Sequence, residues 1–218
     1  MAIQIRAVVS NGFEENAYLI YRDDSRECVV VDPGLSPEKL LHALQENDLT
    51  PVAVLCTHGH ADHIAGIPFL RECFPNMQIV IGKADAPKLT DPRKNLSTDF
   101  GVPFTAPTAD VELTEPVQTV RYAGIDFEAR LTPGHTAGHY TYVIHEMNPN
   151  VAFVGDLVFY RSVGRSDFYD GNFRQLENSV RTQIYTLDDA TILYTGHGPS
   201  TLVGTERKTN PFVKDTSR

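Results

Sequence analysis

With 218 residues, 41% hydrophobic and 22% charged, the chain has the balance of an ordinary folded protein with a sizeable apolar core. Lys and Arg number 19 against 28 Asp and Glu, a formal charge of -9, which argues against nucleic acid as a partner and assigns the acidic excess to solubility. The start, Met1 to Arg6, lacks the basic and apolar stretches of a secretion signal, and no later apolar run approaches membrane-spanning length. The expectation is a soluble cytoplasmic protein, one domain over 1–218, with no membrane partner.

Apolar or alternating β-type runs come first, at Ile3 to Val9, Ala17 to Tyr21 and Cys28 to Val31. Ser36 as cap, Pro37 at the first helical position and the stripe Leu40, Leu41, Leu44 then predict a helix. Pro51 opens the strand Val52 to Cys56, a helical pattern runs from Ile64 to Phe74 and stops at Pro75, and the strand Gln78 to Ile81 follows. Thr90 to Thr114 carries several prolines and little periodicity, and reads as a long surface loop with short elements that borders a substrate site. Strands return at Val117 to Tyr122, Ile125 to Leu131, Tyr140 to Ile144 and Val151 to Val154. A last helix over about Phe173 to Thr186 precedes the strand Thr191 to Tyr194, and Thr209 to Arg218 reads as a short tail.

Periodicity alone supports mixed α and β structure. Several strands before each helical segment, repeated in two halves, argue further for an α/β protein: two sheets packed face to face with helices outside, an αββα sandwich. Cys28, Cys56 and Cys73 are odd in number, and two of them lie in apolar strand or helix patterns, which suits free thiols rather than a disulfide framework.

The strongest chemical signal is Thr57-His58-Gly59-His60-Ala61-Asp62-His63, directly after an apolar strand. In extended geometry His58 and His60 project to one side, and the turn after them can aim Asp62 and His63 at a second point nearby. His135, Asp156 and His197 each follow the end of a predicted strand, so co-aligned strands would gather them on one rim. Gly59, Gly134, Gly155, Gly196 and Gly198 stand beside these candidates and permit tight turns and close backbone approach. A Gly-His or Gly-Asp step alone is a turn; its coincidence with the His58 to His63 cluster favours a metal centre.

The segments His58 to His63, Thr132-Pro133-Gly134-His135-Thr136, Gly155-Asp156 and Gly196-His197-Gly198, with Val30-Val31-Asp32-Pro33-Gly34 before them, resemble the ordered motifs of the metallo-β-lactamase superfamily. The resemblance implies that His58, His60 and His135 bind one metal, that Asp62, His63 and His197 bind another, and that Asp156 bridges them. Asp32 would orient a ligand by hydrogen bonding, against the plainer reading of a turn residue before Pro33-Gly34. Such a set implies two divalent ions, zinc first, with iron or manganese accepted by the same donors. Asp62 and Asp156 would return two negative charges to the site and carry the catalytic weight around a bridging hydroxide that attacks a carbonyl.

The subgroup most closely resembled is the short bacterial glyoxalase II-like hydrolases (hydroxyacylglutathione hydrolase-like), on Val158 to Phe168 and Glu206 to Phe212. It implies a small-molecule thioester substrate of acylglutathione type. Longer members of that group carry a C-terminal helical region that binds glutathione, whereas this chain ends soon after His197, so glutathione would be held loosely. Arg165, Arg207 and Lys208 are the cations available for a substrate carboxylate, with Arg165 the foremost. The rival reading within enzymes is a persulfide dioxygenase with one iron on His58, His135 and Asp156. A metal-binding protein without catalysis is the rival outside them. Of the remaining histidines, His139 could support a ligand and His42 reads as surface.

Overall fold

The computed structural model describes residues 1–214. In chain order the elements are β1 (Ile3–Val9), β2 (Asn16–Arg22), β3 (Glu27–Val31), α1 (Pro37–Glu46), β4 (Thr50–Leu55), α2 (Ala61–Ile64), α3 (Ile67–Cys73), β5 (Gln78–Gly82) and β6 (Val111–Leu113). They continue with β7 (Val117–Tyr122), β8 (Ile125–Leu131), β9 (Tyr140–Ile144), β10 (Val151–Gly155), β11 (Val158–Phe159), β12 (Ser162–Val163), α4 (Phe173–Ser179), β13 (Ile192–Thr195), β14 (Thr201–Leu202) and α5 (Val203–Thr209). Among the described residues no helix is long and apolar enough to cross a membrane.

One mixed sheet has the order β1-β2-β3-β4-β5-β6 and the other β14-β13-β10-β9-β8-β7. Between them lies a core of Ile20, Val29, Val31, Leu55 and Val80 from the first sheet against Phe127, Tyr140, Tyr142 and Phe153 from the second. The first sheet turns Cys28, Val30, Val54 and Ile79 outward onto Leu40, Leu44, Ile67 and Leu70 of α1 and α3. The second turns Ala152, Val154 and Leu193 onto Leu176, Val180 and Val203. The result is the four-layer αββα sandwich. Central strands such as β3 and β10 are buried on both faces, and so their sequences are continuous apolar runs rather than alternating ones.

Several local expectations differ from the structure for identifiable reasons. The helix read from Ile64 to Phe74 is two helices, because Gly66 N–H leaves the helix to donate to Pro33 O at 2.7 Å and Pro68 cannot donate to the preceding turn. Ser36 precedes α1 without capping it; its hydroxyl accepts from Asn11 N–H instead, at 2.8 Å. The last long helix is α-helical only to Ser179 and continues as a π-helical turn, Val180–Ile184, where Arg130 takes the Gln183 carbonyl at 2.6 Å. The end of the proline-rich loop forms β6, which adds to β5 in parallel. The expected tail begins inside α5, and Asn210 and Val213 are buried; positions 215–218 lie outside the described residues.

Candidate metal centre

The strands β4, β8, β10 and β13 end on one rim, and the loops that leave them carry the candidate residues. After β4 the chain runs extended through His58 to His60, and then a single helical turn, α2, carries Asp62 and His63. The two sheets are pinned together there: Asn16 donates through its side chain to the carbonyls of Thr195 (3.0 Å) and Gly198 (2.9 Å), and Tyr18 donates to Thr195 O at 2.6 Å. Tyr140 N–H donates to Thr57 O at 2.7 Å, tying β9 to the loop of His58.

The structure brings all seven candidates together. The donor atoms of His58, His60 and His135 lie within 4.8 Å of one another, as do those of Asp62, His63 and His197. Asp156 stands between the groups: Oδ1 is 3.4 Å from His63 Nε2, and Oδ2 is 3.7 Å from His135 Nε2 and 3.6 Å from His197 Nε2. Gly155 permits this placement with φ 46, and a Cβ there would fall 2.3 Å from Thr57 Oγ1.

The hydrogen bonds fix which imidazole nitrogens carry protons. Thr57 Oγ1 donates to Asp32 Oδ2 at 2.6 Å and therefore accepts from His58 Nδ1 at 3.0 Å. His63 Nδ1 donates to Asp32 Oδ2 (3.1 Å), His135 Nδ1 to Arg165 O (2.6 Å) and His197 Nδ1 to Phe13 O (3.0 Å). With Nδ1 protonated, each of these rings in its neutral form offers an Nε2 lone pair. Those lone pairs face one another and the carboxylates; His135 Nε2 and His58 Nε2 are 3.2 Å apart. Buried His63 Nε2 and Asp156 Oδ1 have no hydrogen-bond partner. Acceptors gathered without donors are satisfied by cations, so the residues present fit a metal centre.

Electrostatics distinguishes the two groups. Burial, reinforced by neighbouring histidines, holds His58 and His60 well below the ordinary histidine range, and burial lowers His135 as well, which keeps these rings in the metal-binding neutral form. In the second group burial opposes charge, but Asp156 and Asp62 push His63 well above its ordinary range, and His197 is raised by its bond to Asp62 and by Asp156. Asp62 and Asp156 are held below the usual carboxylate range, mainly by His63 against the cost of burial. This carboxylate pair demands positive charge.

Asp32 also falls in a three-residue group with His58 and His63, yet its oxygens already accept from Thr57 N–H (2.7 Å), Thr57 Oγ1 and His63 Nδ1. His139 is fully buried, bonds Thr132 through Nδ1 at 2.9 Å and stacks on His58 at 5.4 Å; burial pushes it down to about 3. His42 is exposed beside Glu46.

A cavity of about 410 Å³ opens over the cluster. Arg165 borders it, exposed, paired with Asp167 at 2.9 and 3.0 Å and lying 4.5 Å above the Phe168 ring. Arg207 instead donates to the Tyr185 and Leu187 carbonyls and pairs with Asp189, and neither it nor Lys208 borders the cavity. Leu96 and Phe100 of the proline-rich loop do line it, as do Phe13 and, in β11, Phe159, walls that sequence reasoning did not single out as individual residues because no periodic pattern marks them.

Asp85 is another missed position. Fully buried, it accepts from Gly59 N–H (2.8 Å), Thr136 Oγ1 (2.8 Å), Gly138 N–H (2.9 Å) and Lys88 Nζ (2.8 Å), so one carboxylate clamps the loops of His60 and His135. Lys88 also reaches Asp170 at 2.5 Å. No sequence motif marks it.

A family model described as the metallo-beta-lactamase superfamily matches residues 11–197. The chain is 32% identical over 216 residues to the hydroxyacylglutathione hydrolase GloC of Haemophilus influenzae, covering 99% of this chain and 100% of that protein. Its structure is similar to that of the BLEG-1 B3 metallo-beta-lactamase, with 34% identity, a TM-score of 0.90, and coverage of 96% of this chain and 99% of that one. It is also similar to TTHA1623 in a di-iron-bound form, with 33% identity, a TM-score of 0.82, and coverage of 95% and 99%.

Proposed function

The chain belongs to the metallo-beta-lactamase superfamily, and from that membership we propose a dinuclear metallohydrolase that cleaves acylglutathione-type thioesters. The observation that carries the reading is the convergence of Nε2 lone pairs from His58, His63, His135 and His197 with the carboxylates of Asp62 and Asp156, each of those rings oriented by an acceptor at its Nδ1. His58, His60 and His135 would hold one ion, Asp62, His63 and His197 the other, and Asp156 both. Bound metal supplies activation of water and polarisation of the thioester carbonyl.

The chain's own residues do the rest. Asp32 and Thr57 lock the tautomers and ring directions of His58 and His63. Asp62 Oδ2, 3.2 Å from His197 Nε2 and bordering the cavity, stands where it can take the proton released as water adds to the carbonyl. The reaction forms a C–O bond from water and breaks the C–S bond, giving an acid and a thiol with no redox partner. A cysteine nucleophile is ill suited: burial pushes Cys28 up to about 12 and Cys56 well above the ordinary thiol range. Free Cys28, Cys56 and Cys73 fit a reducing compartment such as the cytoplasm.

Similarity to GloC supports the thioester, and Arg165 at the cavity edge offers a cation to a carboxylate of the glutathione carrier. Imidazole and carboxylate donors accept zinc, iron and manganese; zinc is the ion proposed first, and the di-iron form of TTHA1623 makes iron the one to test beside it. The test is elemental analysis of purified protein paired with turnover of S-lactoylglutathione, nitrocefin and glutathione persulfide, the last followed by oxygen uptake. Two ions per chain with thioester hydrolysis is the expected result. One ion at full loading, with oxygen uptake and no thioester turnover, would replace the hydrolase by a single-iron dioxygenase; nitrocefin turnover outpacing every thioester would replace the substrate.

A further inference from the structure

The cavity over the metal centre has a polarity gradient. Arg165 and Phe168 border it beside His60 and His135, with Phe168 4.8 Å from the His60 ring. Phe13 borders it beside His197, whose Nδ1–H donates to the Phe13 carbonyl. There Phe13 and Phe100 meet edge to face, 4.8 Å between centroids, though each remains more than two-fifths exposed, at 43% and 46%. A second cavity of about 250 Å³ adjoins the first, and the two share Phe13, Asp62 and Phe100. Leu35, Val102 and Phe104 continue its wall, and no Lys, Arg or His borders it.

Its polar groups are already committed. Ser97 donates to Pro92 O and accepts from Phe104 N–H, and Asp62 faces His197. Leu35 and Val102 are exposed, at 38% and 69%. Exposed apolar side chains gathered around a cavity that shares walls with a reactive site mark the place of an apolar ligand group. Arg165 offers a cation to the charged end of a substrate, and the wall beside Phe13 is mainly hydrocarbon.

We propose that the second chamber receives the acyl group of the thioester, and that the substrate class is thioesters of medium-length hydrocarbon acids rather than of small hydroxyacids. The proposal rests on the thioesterase reading above and deepens it. The acyl chain runs along the Phe13–Phe100 pair, which lines both cavities, and ends against Leu35 and Val102, while the thiol carrier stays in the larger cavity near Arg165.

The test is a series of glutathione thioesters, from acetyl through butyryl and hexanoyl to octanoyl, with lactoyl for comparison. Transfer of each methylene into an apolar site predicts kcat/KM rising about fourfold per methylene until the chamber is full. Val102→Glu, at an exposed position, should lower kcat/KM for the octanoyl ester by about tenfold or more while leaving the acetyl ester unchanged; Leu35→Trp, which fills the chamber, should do the same. A flat series, or variants that depress acetyl and octanoyl turnover equally, would overturn the proposal. Should no ester turn over at full metal loading, the thioesterase reading fails instead. The chamber is then judged by titration with the amide analogue N-octanoylcysteamine: shifts in the methyl NMR signals of Leu35 and Val102 support it, and their absence overturns it.

Discussion

The clamp at Asp85 offers a test in which the structure sets the magnitude. Lys88→Met keeps most of the buried stem and removes the ammonium, leaving Asp85 fully buried with only the donors of Gly59, Thr136 and Gly138, and Asp170 without its cation, with Ala137 N–H still donating to it. Breaking a buried pair by removing one member costs about 3–5 kcal/mol, which for a chain of this size lowers Tm by about 6–20 °C. Asp85→Asn should cost a similar amount, because its amide NH2 must face a donor. The double variant should cost less than the two singles together by about 1–3 kcal/mol, since Asp85 then no longer leaves a fully buried charge without its cation. Burial opposes the Lys88 charge, but Asp85 and Asp170 more than offset it and hold the ammonium above the ordinary lysine range. A raised folded-state value means that this stabilisation is complete below the unfolded lysine range, near pH 10.5, and is lost as pH climbs through the folded value; the lysine variant should lack that alkaline component. Thermal and urea unfolding at fixed metal concentration measure all of this. A Lys88→Met cost below about 1 kcal/mol, outside the buried-pair range, or strict additivity in the double variant, would refute the clamp.

Asp32→Asn should weaken metal binding by about 10–100-fold, read by competition with a chromophoric chelator, because His63 loses the acceptor that aims its Nε2; unchanged affinity would make Asp32 a turn residue only. His139→Ala should retain both metals in elemental analysis, whereas His63→Ala should lose one, as His139 bonds Thr132 and stands behind His58. Arg165→Ala should raise KM for acylglutathiones more than it lowers kcat if its contact is equal in ground and transition states, and a pure kcat loss in steady-state kinetics would place its role in the transition state.

The αββα layering was legible because strand and helix periodicities differ most where the sheet is half exposed: β7 alternates between exposed and partly buried residues, and its predicted bounds match the structure. Elements of two or three residues such as β6, β12 and β14 were not legible, since a pattern of period two needs more residues than they have. α5 was hidden for a different reason. Its Glu206 is buried and accepts from Thr201 Oγ1, Arg161 N–H and Asn210 Nδ2, so a charged residue occupies the position where a hydrophobic stripe would have announced a helix.

The same contrast of local and distant runs through the candidate site. His58 to His63 announce themselves because four donor-type side chains crowd one short segment, and His135, Asp156 and His197 because each follows a strand end. Asp85 does neither: its partners Gly59 and Gly138 are 26 and 53 residues away in sequence, and only the fold unites them. The cavity walls are equally scattered, with Phe13 between β1 and β2, Phe100 in the proline-rich loop, and Phe159 and Phe168 before α4. Donor groups thus leave the ends of packed strands, while the cavity walls sit on connecting segments, where Phe13 and Phe100 remain exposed. Loops tolerate sequence change that strand ends bearing several mutually dependent ligands do not. Proteins named as a hydroxyacylglutathione hydrolase and as a B3 metallo-beta-lactamase both stand near one-third identity to this chain, and a fold that carries its donor groups on packed strand ends and its cavity walls on connecting segments lets those walls change without disturbing the candidate metal centre.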